Sequence, residues 1–150
     1  MTKEAMKYFN RYKELILDAT VGVDDSSFFD KYEPIHFNLT KNNRVIEYTP
    51  GIPWRICDKE RVLIGWNDVN ANNTARDYFM CNNVRISGIV CNDQMDLILH
   101  TSNGISIETY TTVTEYNECW KLKDMAEEYY EFIVTGEGVV LIENGEAYEL

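Results

Sequence analysis

The stretch MDLILHTSNGISIETYT, residues 95–111, decides the fold. Apolar and polar residues alternate on both sides of Asn103-Gly104, and an Asn-Gly pair between alternating segments is the strongest short-range signal for a β-hairpin. The pattern predicts strands over 95–101 and 105–111, joined by a tight turn at 102–104. A further strand over 84–91 precedes them, so this part of the chain indicates an antiparallel sheet.

The same β pattern continues on both sides of this hairpin. Short alternating or apolar segments, bounded by turn residues, predict eight more strands. Residues 67–76, by contrast, include four asparagines and are predicted to form a loop. The eight predicted strands span 35–39, 44–49, 54–57, 61–66, 120–122, 129–135, 139–142 and 147–150.

Residues 3–19 predict one amphipathic helix. Thr2 precedes it as a candidate N-cap, because its hydroxyl accepts a hydrogen bond from a free amide of the first turn. The pattern as a whole predicts a single α+β domain over 1–150, with this N-terminal helix packed on an antiparallel sheet of meandering hairpins. The face of the helix that packs on the sheet carries residues spaced four and three apart, namely Ala5, Phe9, Tyr12, Ile16 and Ala19.

The charge of the chain is strongly asymmetric. The 150 residues carry a formal charge of −11. Residues 124–150 hold eight of the 25 Asp and Glu residues and no Lys or Arg. A field of one sign repels nucleic acid and anionic membranes and attracts basic surfaces. We therefore expect a basic protein partner, and neither a nucleic-acid nor a membrane partner.

The cysteines and the N-terminus indicate a cytoplasmic protein. The four cysteines are widely spread and form no CxxC pair, which is typical of small buried side chains in a reducing compartment. Residues 1–8 are polar and amphipathic, unlike a secretory signal. No segment approaches the roughly 20 apolar residues that a membrane-spanning helix needs.

No pattern of catalytic or metal-ligating residues stands out. The two histidines, His36 and His100, lack a neighbouring ligand at the spacing of a metal site. Gly136-Glu137-Gly138 places a carboxylate where a phosphate loop would need a cation. We therefore expect no metal, no cofactor and no catalytic residue, and the chain is predicted not to be an enzyme.

The acidic residues around two adjacent tyrosines are the candidate contact set. Neighbours in a strand point to opposite faces, so one of these tyrosines is expected to face solvent. Exposed tyrosine beside carboxylates is typical of protein interfaces, although a solvated acidic face has the same composition. The predicted partner-binding residues are Glu127, Glu128, Tyr129, Tyr130, Glu131 and Glu137.

Three motifs resemble a group of small uncharacterised bacterial proteins. The group has a D-L-x-L strand, an N-G-x-x-L hairpin return and a closing E-x-W-x-L, and the similarity covers about two thirds of this chain. The chain departs from the group at Ile98 and His100 and in its acidic residues 124–150. The matching stretches are Asp96-Leu97-Ile98-Leu99, Asn103-Gly104-Ile105-Ser106-Ile107 and Glu118-Cys119-Trp120-Lys121-Leu122, with Trp54-Arg55-Ile56 similar to the upstream hairpin.

Members of this group are similar in setting to the immunity proteins of bacterial toxin systems, which bind a cognate toxin and block it. The resemblance implies an immunity protein that neutralises a toxin, and the charge implies that an acidic surface makes the contact. It carries over no catalytic residue. It implies a core that contains Leu97, Ile105, Ile107, Trp120 and Leu122.

Two functions of other classes stay open. A pocket between the helix and the sheet would serve a small-ligand-binding or regulatory module, whose thermal stability would rise with its ligand. Cys91 or Cys119 together with His100 would serve a hydrolase. Such an enzyme would lose its activity on a Cys→Ala change and react fast with thiol reagents.

Overall fold

The computed structural model describes residues 1–24, 34–80, 83–111, 117–126 and 130–150. These residues contain two helices, α1 (Lys3–Ile16) and α2 (Ala71–Met80), and neither is long and apolar enough to cross a membrane. The strands are β1 (Thr20–Val23), β2 (Phe37–Lys41), β3 (Arg44–Pro50), β4 (Trp54–Cys57), β5 (Val62–Gly65), β6 (Ile86–Cys91), β7 (Leu97–Thr101), β8 (Ser106–Thr109), β9 (Glu118–Asp124), β10 (Glu131–Thr135), β11 (Val139–Glu143) and β12 (Glu146–Glu149).

The strands described form two antiparallel sheets. The larger has the order β1-β2-β3-β9-β10-β11-β12, and the smaller has the order β5-β4-β8-β7-β6. The chain leaves the larger sheet after β3, builds the smaller one and returns in β9, which pairs with β3. The predicted mixture of helix and antiparallel sheet is confirmed. The expectation of one sheet is wrong, because local alternation predicts hairpins but carries no information on long-range pairs such as β3–β9 and β4–β8.

Helix α1 covers the larger sheet at β9 and β10. The Thr2 hydroxyl caps the helix by accepting a hydrogen bond from the Ala5 amide at 3.1 Å. The Phe9 ring lies 6.0 Å, between centroids, from both Trp120 and Phe132 on those two strands. Edge-on and tilted ring contacts at this spacing are favourable, so α1 is held on the sheet by an aromatic cluster.

Two local predictions are wrong. The first helix ends at Ile16 rather than at residue 19, because the chain turns there and enters β1. The segment predicted as a loop, 67–76, contains most of α2. Asparagine is a poor helix former, but packing overrides propensity here, since the Phe79 ring meets Phe37 edge-on at 5.9 Å. The buried face of α2 consists of Ala71, Ala75 and Phe79, at helical spacing.

The two sheets share one hydrophobic core. The Tyr48 hydroxyl of β3 is hydrogen-bonded to the Thr109 hydroxyl of β8, and the Trp120 indole donates to the Met95 carbonyl at 2.7 Å. Where the chain crosses between the sheets, a side chain at Gly51 would collide with the backbone of β9. All of the core residues implied by the resemblance are buried: Leu97, Ile105, Ile107, Trp120 and Leu122.

Candidate functional site

The candidate site is the outer edge of the larger sheet, formed by β11 and β12. Asn144 and Gly145 join the two strands with φ angles of 53° and 81°. Positive φ at both positions of a two-residue loop is the geometry of the type I′ hairpin. This turn sets the register that places Glu143 directly opposite Glu146. Two carboxylates therefore face the same side of the sheet in adjacent strands.

Strand β12 is fully exposed. All four of its residues are exposed, and it pairs with β11 on one side as the last strand of its sheet. The opposite edge of the same sheet, β1, is covered: the Val21 amide donates to the Val84 carbonyl at 2.8 Å, and the Ile86 amide donates to the Ala19 carbonyl at 2.9 Å. An uncovered edge strand is a surface on which another chain can add.

A cavity of about 370 Å³ lies between this edge and the first turn of α1. Its walls combine three carboxylates, two tyrosine rings and two leucine side chains. Carboxylates and aromatic faces both attract cations, so the cavity is suited to a positively charged group. The lining residues are Glu4, Tyr8, Leu141, Glu143, Tyr148, Glu149 and Leu150.

The carboxylates of this edge have no basic partner among the residues described. No Lys or Arg of the described residues forms an ion pair with Glu143, Glu146 or Glu149. This holds even though α1, which adjoins the edge, carries lysines close to Glu4 in the sequence. The Tyr148 hydroxyl donates to Glu146 Oε2 at 2.6 Å. That hydrogen bond, with the charge of Glu146, raises the pKa of Tyr148 above its ordinary value. We call Glu143, Glu146 and Glu149 the acidic edge.

Two other acids of residues 124–150 are neutralised inside the fold. Asp124 is 1% exposed, and Arg44 Nε donates to its Oδ2 at 3.1 Å. Glu131 lies 3.5 Å from Lys123 Nζ and 4.0 Å from Lys121 Nζ, both on the neighbouring strand β9. These carboxylates are therefore structural charges, whereas no ion pair between described residues compensates those of the acidic edge.

The predicted contact residues divide into three groups. Glu127, Glu128 and Tyr129 lie outside the described residues. Tyr130 is 3% exposed, so this tyrosine is a core residue and is removed from the predicted surface set. Its ring stacks on Tyr12 at 6.0 Å, which explains its burial. Of the remaining two, Glu131 is held by lysines, and Glu137 is exposed on the turn between β10 and β11.

Sequence reasoning missed Glu143, Glu146 and Glu149 as site residues. Asn144-Gly145 between them was a usable signal, because a type I′ turn places the two flanking residues opposite each other. The predicted contact set lies mostly within residues 127–131, because acids are dense along the chain there. A dense group of acids does not indicate unpaired charge where a neighbouring strand supplies lysines. The sequence does not show which strands are neighbours.

A second charged cluster lies on the smaller sheet and is satisfied by its own members. Arg55 Nε donates to Glu108 Oε2 at 2.7 Å, Ser106 donates to Oε1 at 2.9 Å, and Tyr110 also donates to Glu108. Burial raises the pKa of Glu108, but these hydrogen bonds outweigh burial and hold it below its ordinary value. Burial, followed by Glu108, raises the pKa of Tyr110 to about 12. Glu108 therefore has a basic partner within its own sheet, unlike the carboxylates of the acidic edge.

Cys91 and Cys119, the two cysteines considered for a hydrolase, lie in environments that disfavour a reactive thiolate paired with His100. Burial raises the pKa of Cys91 to about 11, which disfavours the reactive thiolate. Cys119 is buried in β9 of the larger sheet, whereas His100 is exposed on β7 of the smaller one. Among the side chains described, no group of three or more His, Cys, Asp and Glu residues is arranged to hold a metal ion.

Comparison of the chain with protein-family models, with curated proteins and with solved structures found no match.

Proposed function

We propose that this chain binds a basic protein through its acidic edge and acts as an immunity protein that neutralises a bacterial toxin. The observation that carries the proposal is the exposed pair Glu143 and Glu146, which the hairpin register places opposite each other. Within the described part of the chain, neither forms an ion pair with a Lys or Arg. Like charges directly opposite in adjacent strands destabilise a sheet. A basic partner would relieve this repulsion, so binding gains free energy that the free protein cannot recover.

The distribution of charge also favours rapid encounter with such a partner. The chain carries a net charge of −11, and the acidic edge presents its carboxylates at an exposed border. Uncompensated surface charge steers an oppositely charged protein and raises the association rate. Compensated charges such as Glu131 with Lys123 contribute little to that field, because their potentials cancel at a distance.

The proposed mechanism of neutralisation is occupation of a basic cleft. A toxin that acts on nucleic acid needs a positively charged active site to hold phosphates. A row of carboxylates on a rigid sheet edge offers the same sign of charge as a phosphate backbone. The motif resemblance to proteins in toxin–immunity settings supports this reading over a general acidic adaptor.

The contact set is then centred on β11 and β12. Glu127, Glu128 and Tyr129 stay predicted members of it. Glu131 follows them in the chain and pairs with Ile142, next to Glu143.

The test is a capture experiment with matched baits. The triple variant E143Q/E146Q/E149Q removes the open charges, and E131Q removes one compensated charge. Each tagged protein is mixed with lysate of cells that carry its gene, and bound proteins are quantified by mass spectrometry. We expect a basic protein that wild type and E131Q retain and the triple variant loses. Expression of the wild-type chain together with the captured protein should then protect cells from the toxicity of the captured protein.

Equal capture by all three baits would contradict the proposal, as would a captured basic protein whose expression harms no cell. Salt sensitivity provides an internal control. Binding through exposed charges weakens as ionic strength rises, because the screening length falls to about 8 Å at physiological salt. A contact that 0.5 M salt leaves unchanged would not be the one proposed here.

A second candidate function is supported by the cavity beside α1. Its volume of about 370 Å³ lies within the range of small-ligand sites, and its carboxylates and tyrosines select a cation. The chain would then sense a small organic amine. A thermal-shift series with putrescine, spermidine and spermine tests this: a rise in Tm that E143Q abolishes would support it. No shift at millimolar amine would contradict it.

A further inference from the structure

We propose that β12 accepts an extended basic segment of the partner as an eighth strand of the larger sheet. This inference rests on the proposed function and specifies how the partner docks. Strand addition supplies affinity through main-chain hydrogen bonds and specificity through alternate side chains. It requires an edge with open backbone groups, room on both faces and complementary charge, and β12 meets each requirement.

The backbone groups that point outward are identified by the pairing with β11. The Leu150 amide donates to the Val139 carbonyl at 2.9 Å. Hydrogen-bonded pairs alternate along antiparallel strands, so Glu146 and Tyr148 also point their backbone groups toward β11. The amides and carbonyls of Ala147 and Glu149 then point away from the sheet. In the part of the chain that the structure describes, no hydrogen bond reaches them.

The edge has space for an added strand on both faces. Tyr148 is 44% exposed, and the other residues of β12 are exposed as well. On the α1 side, the cavity adjoins Tyr148 and Glu143, so a long basic side chain from the added strand has a place to enter. Glu149 also lines this cavity. Because side chains alternate between faces, a strand of alternating lysine and apolar residues would present its lysines to the face that carries these carboxylates.

Charge selects this occupant over a second copy of the chain. Two β12 strands placed side by side would bring the Glu146 and Glu149 carboxylates of both copies together. Like charges in facing strands are unfavourable, and glutamate on an edge strand is a known device against self-pairing. A lysine- or arginine-rich segment reverses the sign of every one of these contacts.

The test uses a designed hexapeptide of alternating lysine and valine as the probe. Its affinity is measured at low salt by isothermal titration, and amide hydrogen exchange reports which groups become protected. We expect the Ala147 and Glu149 amides to gain protection on binding. The Glu146 and Tyr148 amides, already bonded to β11, should change little by comparison.

The decisive variants remove hydrogen bonds without changing charge. Ala147→Pro deletes one outward amide, and proline is tolerated on an edge strand where that amide faces solvent. Ala147→Thr is its control, since it keeps the amide. We expect Ala147→Pro to weaken peptide binding at least about tenfold and Ala147→Thr to leave it nearly unchanged. A peptide N-methylated at every second residue should likewise bind worse than one of equal charge without methyl groups.

The outcomes separate this inference from the proposed function. If Ala147→Pro and N-methylation leave affinity unchanged while E143Q/E146Q/E149Q lowers it, strand addition is overturned and an acidic contact surface remains. If the peptide does not bind wild type at all, the inference is also overturned, and the capture experiment alone decides the proposed function. The N-methylated peptides keep the test valid even if Ala147→Pro prevents folding.

Discussion

Acidic side chains have two different roles in the neighbouring strands β9 to β12. Asp124 and Glu131 form one group, and Glu143, Glu146 and Glu149 form the other. The first pair lies beside Arg44 or the lysines of β9. The second group lies on an exposed edge, where none of the basic residues that the structure describes forms an ion pair with it. Clustering of acids along the chain does not distinguish them. The two groups differ in whether the neighbouring strand supplies a cation.

The difference has an energetic meaning. A paired carboxylate contributes to folding or is neutral, whereas an uncompensated one opposite a like charge costs stability. Removing an acid should therefore destabilise the protein at one group of positions and leave it unchanged or stabilise it at the other.

The largest expected effect is at Asp124. Asp124→Ala leaves Arg44 without its buried carboxylate, and breaking such a pair costs about 3 kcal/mol. Urea unfolding measures the change, with Glu149→Ala as the control, which should lie within about 0.5 kcal/mol of wild type. Equal losses at the two positions would show that the acidic edge is as structural as Asp124.

A pH series extends the comparison to Glu108 of the smaller sheet. Its folded pKa lies below the ordinary value, so the free energy of unfolding that it contributes is fully present above the unfolded pKa, about 4.3. That contribution is lost as the pH falls through the lower folded pKa. Glu108→Gln should therefore flatten the loss of stability below about pH 4.3. An unchanged acid limb would mean that its hydrogen bonds do not favour the ionised form.

A smaller effect is expected at Glu131. Its contacts with Lys121 and Lys123 are partly exposed, so Glu131→Gln should lower the unfolding free energy by only about 0.5 kcal/mol. Repeating the urea titration at 1 M salt should remove most of this difference. A loss that salt leaves intact would assign the cost to packing and not to charge.

The smallest expected effect has the opposite sign. Glu143→Lys converts the like-charge pair with Glu146 into an opposite-charge pair, which should stabilise the hairpin by about 0.3 kcal/mol. Hydrogen exchange of the β11 and β12 amides at low salt is sensitive enough to detect it. Faster exchange in Glu143→Lys would show that the two carboxylates do not repel each other in the free protein.

The sequence predicts local structure well, but it does not predict which distant segments pack or pair with each other. Alternation and the Asn103-Gly104 turn predict the hairpins, since these depend on contacts close in the chain. The pairing of β3 with β9 brings together residues about 70 positions apart, and no local pattern encodes it. The sequence does not predict helix α2, because its asparagines have low helix propensity. The burial of Phe79 overrides that propensity.

The same limit explains the candidate site. The sequence shows the acidic excess of residues 124–150 directly. It does not show which of these acids are paired with basic residues and which lie on the exposed edge. Lys121 and Lys123 neutralise Glu131 across β9 and β10, and Tyr130 is buried against Tyr12 of α1. Both facts depend on which elements touch. The one readable clue was the hairpin turn, which places Glu143 opposite Glu146 on an exposed edge.

The most direct test of the central claim is the association rate of the captured partner with three proteins: wild type, E131Q and E143Q/E146Q/E149Q. Stopped-flow mixing over a range of ionic strength gives each rate and its salt dependence. We expect the triple variant to associate about tenfold more slowly at low salt, with a flattened salt dependence, and E131Q to match wild type. Equal slowing in E131Q, or no slowing in the triple variant, would contradict the claim that the open carboxylates bind the partner.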